Sequence, residues 1–230
     1  MLSSCKVGRF VFYNFADVKD HNKFPSRAIN NGSSSFKFPT TVNGKFPKEL
    51  NIKGEAYSFE QYLEDNNTLA FIIIHNDTIQ YENYWKNYDE NSVVPSFSMA
   101  KSIMSILIGM AIEKGHIISV KEPVTNYIPE LKANGFDQVT IEHLLQMTSG
   151  VDFKESYTNP FGHAATLYYG RNLRKAIKKL KLKAEPGKDF EYISGNTQIL
   201  GLLIERALQG QTLSNYLQEK LWKPLEMEYP

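Results

Sequence analysis

The run Leu69-Ala70-Phe71-Ile72-Ile73-Ile74-His75 constrains the fold more than any other stretch, because it is continuous, apolar and rich in β-branched residues. Such a run reads as a strand buried on both faces, and a strand of that kind belongs in a sheet that helices cover. Asn76-Asp77 then supplies a turn, and Thr78-Ile79-Gln80-Tyr81-Glu82-Asn83-Tyr84-Trp85 alternates in part, so the pair is predicted to be a β-hairpin whose second strand is half-exposed. Past Gly115 the periodicity is helical, in Ile141/Leu144/Leu145 after the cap candidate Thr140, in Leu173/Ala176/Ile177/Leu180, in Ile199/Leu200/Leu203/Ile204/Ala207 and in Leu213/Tyr216/Leu217 after Thr212. A two-stranded ribbon is marginal on its own, and partners for the buried strand are not in this sequence. The final residues, Leu225 to Pro230, follow a helix pattern without a closing element. The fold class expected is therefore α+β, a helical region with part of an antiparallel sheet, the remaining strands lying in a C-terminal portion that these 230 residues do not include.

Residues 1–54 read as an N-terminal extended arm, aromatic and polar by turns, with Phe10, Phe12, Tyr13 and Phe15 placed to pack on a main domain over 55–230. Ser58-Phe59-Glu60-Gln61 has the form of a capping box and predicts a short helix reaching about Asp65.

Hydrophobic residues make up 42% of the chain and the formal net charge is +1, so one sizeable core is affordable and no bulk electrostatic partner is indicated. Lys178-Lys179 and Lys181-Leu182-Lys183 read as the solvated face of a helix, and with no recognition motif or aromatic platform beside them no nucleic-acid partner is expected. No stretch approaches the ~18 apolar residues a membrane span needs. His75, His116 and His163 lack the spaced partners of a metal site, and neither a metal nor a cofactor is expected. His143, inside a helix pattern, reads as an interhelical hydrogen-bonding residue. The lone cysteine, Cys5, rules out an internal disulfide framework. Leu2-Ser3-Ser4-Cys5 is similar to the end of a bacterial lipoprotein signal, although only Met1 precedes it. On that reading Cys5 carries a lipid anchor and the protein sits at the bacterial cell envelope or periplasm; on the alternative it is a free terminal thiol and the protein is cytoplasmic. Nothing in the sequence bears on oligomeric state.

Ser-x-x-Lys occurs at Ser3/Lys6, Ser34/Lys37 and Ser98/Lys101, and context separates the three. The first lies among the terminal residues and the second in the polar loop Asn31-Gly32-Ser33-Ser34-Ser35, where nothing fixes two side chains on one face. Only Ser98 leads into an apolar run, Ile103/Ile106/Leu107/Met110/Ala111, at the spacing of a helix with one buried face. Residues three apart are neighbours on a helix, so Lys101 can reach the Ser98 hydroxyl. The helix N-terminus favours negative charge there by roughly 0.3 to 2 kcal/mol. An amine beside a hydroxyl makes an acyl-transfer nucleophile; the plainer reading is a helix cap followed by a solvated lysine.

Four ordered segments together resemble the serine β-lactamase-related family: Phe97-Ser98-Met99-Ala100-Lys101-Ser102, Leu144-Leu145-Gln146-Met147-Thr148-Ser149-Gly150, Pro186-Gly187-Lys188-Asp189-Phe190-Glu191-Tyr192 with Ser194-Gly195-Asn196, and Leu221-Trp222-Lys223-Pro224-Leu225. That family holds class C β-lactamases, D-alanyl-D-alanine peptidases, family VIII esterases and 6-aminohexanoate-dimer hydrolases, and the Tyr-x-Ser-Gly wording is nearest to the last. The resemblance implies a β-lactamase/transpeptidase-like fold with Ser98 as the acylated nucleophile, Lys101 as its proton partner and Tyr192 as the second base. It implies Ser194 and Asn196 as substrate-binding or supporting residues, with Tyr168 and Tyr169 in the segment that overhangs the pocket, where lining the acyl channel and ordinary packing are equal alternatives. Free lysine and tyrosine titrate near pH 10, so a base working near pH 7 needs about 4 kcal/mol from its surroundings. Two groups sharing one proton beside a helix N-terminus can supply that between them.

Two departures from the family's pattern carry weight. Penicillin-recognising members read Tyr-x-Asn, whereas Ser194 stands at that place here and Asn196 lies two further on, which favours an esterase or amidase over a β-lactamase. The family's third motif, Lys or His, any residue and Gly on a sheet-edge strand, comes after the helical region and is not found there in this sequence. Since that strand gives half the oxyanion hole, the other half being the Ser98 N–H, the 230 residues alone are expected to be inactive. The resulting expectation is a serine hydrolase of small esters or amides as a full-length protein. Its rivals are a penicillin-binding D,D-peptidase or β-lactamase, and a non-catalytic binding or sensor module.

Overall fold

The structure is a computed structural model that describes residues 6–13 and 16–230. The chain divides into two compact units, Asn30–Val94 with Leu225–Pro230, and Met1–Ile29 with Pro95–Pro224.

The first of these units holds the strands. β1 (Glu49–Ile52) and β2 (Glu55–Ser58) pair antiparallel across Lys53-Gly54, where both residues have positive φ, the geometry of a two-residue hairpin turn. Asn76-Asp77 does the same between β3 (Ala70–His75) and β4 (Thr78–Tyr84), so the predicted hairpin forms, with a register shift between Ile73 and Ile74. The helix α2 (Phe59–Asp65) packs Phe59 and Leu63 against Tyr81, with Phe46, Phe71, Ile73 and Trp85 around them. The expected burial of β3 on both faces does not hold. Phe71 and Ile73 face this small core, while Ile72 and Ile74 on the opposite face are each 46% exposed. Among the described residues the sheet has two strands, and its Phe71/Ile73 face meets the cluster around Phe59, Leu63 and Tyr81. The capping box at Ser58 is also not made. Ser58 forms no side-chain cap bond; the Phe59 N–H goes instead to the Lys48 carbonyl at 3.0 Å, and Gln61 bonds Asp65 at 2.9 Å.

The helices belong to the second unit. α3 (Met99–Glu113) buries Leu107, Ile108 and Ala111, and closes with two bonds of a Schellman turn, Gly115 N–H to Ile112 and His116 N–H to Ala111. The buried stripe is rotated from the one predicted, because Ile106 is 45% exposed and Ile108 takes its place inward. α4 (Ile141–Leu145) begins at a capping box between Thr140 and His143, so His143 closes its own helix rather than bridging two. α5 (His163–Tyr169) and α6 (Leu173–Ile177) are short, and α8 (Leu213–Leu217), capped by Thr212, runs into a π turn over Gln218–Trp222. The central element is α7 (Ser194–Ala207), which packs against α3 and α4 and buries Ile199, Leu200, Leu202, Leu203 and Ile204. Among the described residues no helix is long and apolar enough to cross a membrane.

The arm expected to be extended opens instead with a helix, α1 (Lys6–Tyr13), packed on α5 with Phe10 set edge-on to Tyr169 at 5.5 Å. A helix wins here because it points Arg9 inward, where Arg9 Nε donates to the Tyr169 carbonyl at 2.8 Å.

Candidate active site

The site is built where the starts of α3 and α7 meet. Phe97 adopts φ 43°, a left-handed conformation that costs an aromatic residue roughly 1 to 3 kcal/mol, and it delivers Ser98 to the first turn of α3. Ser98 occupies the cap position, yet its hydroxyl makes no cap bond. It accepts a hydrogen bond from Lys101 Nζ at 3.0 Å, one helical turn on. The same ammonium donates to Ser194 Oγ at 3.2 Å and lies 5.1 Å from the centre of the Tyr192 ring. Tyr192 is 48% exposed. The hydrogen-bonding reach of the Ser98 hydroxyl, reinforced by Lys101, holds its phenol below the ordinary tyrosine value. Ser98, Lys101, Tyr192 and Ser194, four residues expected in the site, therefore converge.

The segments around residues 147 and 187 form the platform that presents Tyr192. Gly187 N–H bonds Thr148 O at 2.7 Å and Glu191 N–H bonds Met147 O at 2.8 Å. Asn196 fastens α7 to this platform. It is fully buried, its Oδ1 accepts from Ser149 Oγ at 2.7 Å, and its amide contacts Met147 Sδ at 3.5 Å. Of the two residues paired in the sequence reading, Ser194 thus contacts Lys101 while Asn196 is buried against Ser149. Gly195 between them leaves room for the Phe153 ring, which a Cβ would approach to 2.7 Å.

A cavity of about 530 Å³ opens over Ser98 and Lys101, a volume ordinary for a small-molecule site. Phe97, Phe153, Ala164, Leu167 and Tyr168 give it apolar walls, and Ser194 and Glu155 join its polar end. Tyr168 lies in this wall, whereas Tyr169 packs instead, buried against Phe10 and Phe24. Successive residues on a helix point in different directions, so only one of the pair can face the cavity. Cys5 lies outside the described residues.

Sequence reasoning missed Glu155. Its carboxylate accepts the Ser194 N–H at 2.7 Å and the Ser194 Oγ–H at 2.7 Å, and it also accepts from the Tyr157 hydroxyl. Ile193, at the cap position of α7, offers no side-chain acceptor, so Glu155 caps this helix from a distant loop. The contacts run Lys101 ammonium, Ser194 hydroxyl, Glu155 carboxylate, with the hydroxyl accepting from one and donating to the other. No local spacing marks such a residue. Glu155→Ala removes the acceptor for these three donors, and an apparent stability loss of about 1 to 3 kcal/mol is expected in denaturant titration; an unchanged midpoint would mean that α7 begins without it.

Residues 58–230 match the family described as Beta-lactamase. The chain belongs to the beta-lactamase family. The beta-lactamase match takes in every converging residue of the site and rests alongside more specific likenesses. A 6-aminohexanoate-dimer hydrolase of Paenarthrobacter ureafaciens is 27% identical over 177 residues, covering 70% of this chain and 44% of that protein. A solved structure from Bacillus anthracis, provisionally named a 6-aminohexanoate-dimer hydrolase, superposes with a TM-score of 0.76 at 27% identity over 87% of this chain and 55% of its own. A class C beta-lactamase superposes at 0.53 with 20% identity over 70% of this chain and 45% of its own, which speaks to the fold alone. The chain thus spans about half the length of these relatives. The fold is the β-lactamase/transpeptidase-like one that the sequence motifs implied.

Proposed function

We propose that the full-length protein is a serine hydrolase of small esters or amides, working through an acyl-enzyme on Ser98. The observation that carries this is the contact of Lys101 Nζ with Ser98 Oγ at 3.0 Å beside a tyrosine phenol held below its ordinary titration range. In the reaction, Ser98 Oγ attacks the carbonyl carbon while its proton passes to the Lys101–Tyr192 pair. The adduct collapses with cleavage of the C–O or C–N bond, and the pair returns the proton to the departing oxygen or nitrogen. Water then adds to the acyl-serine carbonyl and gives its proton to the same pair; the serine oxygen leaves and takes that proton back. The Ser98 N–H, at the start of α3, serves the developing oxyanion.

Ester or amide substrates are favoured over β-lactams because Ser194, which bonds Lys101 and Glu155, stands where penicillin-recognising relatives carry an amide. The likeness to proteins named for hydrolysis of the 6-aminohexanoate dimer, an amide, points the same way. A fluorophosphonate probe applied to the full-length protein, followed by peptide mapping, is expected to mark Ser98. A folded protein that takes no label would be a binding or sensor module instead, and covalent capture of a labelled penicillin at Ser98 would move the assignment to a D,D-peptidase or β-lactamase.

A further inference from the structure

Residues 6–13 and 16–25 precede the stretch that matches the family, yet they belong to the unit that holds the site. They are fastened to α5 at separate points. Lys6 Nζ donates to Thr166 Oγ1 at 2.8 Å, and Arg9 Nε donates to the Tyr169 carbonyl at 2.8 Å. Phe24 stands edge-on to Tyr168 at 5.5 Å, and the Tyr168 hydroxyl donates to the buried carboxylate of Asp20. Asp20 is itself held by Lys23 Nζ at 2.6 Å and by the Asp17 N–H at 3.1 Å. α5 carries Ala164, Leu167 and Tyr168 into the cavity above Ser98, so whatever holds α5 and the Tyr168 ring sets the width of that cavity.

One residue of the segment enters the cavity directly. Ala16 lines the same space as Ser98, and it also borders a smaller void enclosed by Tyr157, Ala164, Ala165, Tyr168 and Tyr169. Ala16 is exposed at the rim of both spaces, and a side chain larger than methyl there has the reach to narrow either of them.

We propose that residues 16–25 are a specificity wall of the Ser98 cavity: the methyl of Ala16 sets the length of apolar chain a substrate can carry, and Asp20, through its bond to the Tyr168 hydroxyl, is the positioning residue that keeps the wall in place. The proposal rests on the hydrolase reading above. Its observations are the apolar lining of the cavity, the shared wall at Ala16 and the buried carboxylate spent on a tyrosine that faces the cavity.

The test compares p-nitrophenyl acetate with p-nitrophenyl octanoate in the full-length protein, with fluorophosphonate labelling of Ser98 as a check on the nucleophile. Ala16→Leu is expected to lower the octanoate-to-acetate ratio of kcat/KM by about tenfold. Tyr168→Phe, which keeps the ring and loses the bond to Asp20, is expected to raise that ratio and to speed tryptic cleavage after Lys19 or Lys23. Should Ala16→Leu fold poorly, Ala16→Val is expected to move the ratio in the same direction by less. Equal losses on both esters, or a ratio unmoved in both the Ala16 and Tyr168 variants while Ser98 still labels, would overturn the specificity wall and leave the hydrolase standing. Absence of label in the unsubstituted protein would strike the hydrolase reading, and this inference with it.

Discussion

Ser98→Ala is expected to remove all fluorophosphonate labelling and to lower kcat/KM by about 10^4-fold or more in the full-length protein, because among the described residues the other hydroxyl that Lys101 bonds, that of Ser194, is already held by Glu155. The same substitution should leave stability within about 0.5 kcal/mol, since the side chain is exposed and makes no cap bond. That combination separates nucleophile from helix cap. A cap would cost about 0.5 to 2 kcal/mol on truncation and leave turnover alone. Ser194, the second hydroxyl on Lys101, is spoken for by Glu155 and cannot stand in. Retention of even a tenth of the activity in the alanine variant would end the assignment.

Tyr192→Phe keeps the ring beside Lys101 and loses only the oxygen, and kcat should fall by about 10^2- to 10^4-fold. The pH profile gives the more exacting comparison. Proximity to the Ser98 hydroxyl, with help from Lys101, lowers the Tyr192 pKa from its usual value of 10.0, so the deprotonated form is favoured over that of a free tyrosine. In the proposed mechanism the base is the deprotonated form. The rate should therefore rise with pH through the Tyr192 titration, at a pH below the ordinary tyrosine range, and that limb should be missing from the phenylalanine variant. An unchanged limb would assign the titration to another group.

What was legible in the sequence follows from how far apart the interacting residues are. Ser98 and Lys101 stand one turn apart on a single helix, and local geometry alone brings them to 3.0 Å. Tyr192 could be placed only through the wording around it, because the platform that presents it is made from backbone bonds between residues 147–150 and 183–191 that no periodicity announces. The Asn196 role was half visible: an amide two residues past Ser194 on a helix points elsewhere, and here it points to Ser149. The strand at 70–75 was found from its composition, but its burial was not, since a run of isoleucines reads the same whether one face or both are covered. The helix at 6–13 escaped because its partners, Thr166 and Tyr169, are about 160 positions away.

The carboxylate of residue 155 joins two parts of the molecule whose sequences are 39 positions apart. A helix normally brings its own terminator, and α7 does not, so its first turn is only as secure as the loop that crosses it. Any event that lifts that loop, whether an insertion near Tyr157 or a bulky molecule wedging beneath it, unties the serine hydroxyl that steadies the Lys101 ammonium. A continuous line of hydrogen bonds therefore runs from Tyr157 on the surface through Glu155, Ser194 and Lys101 to Ser98.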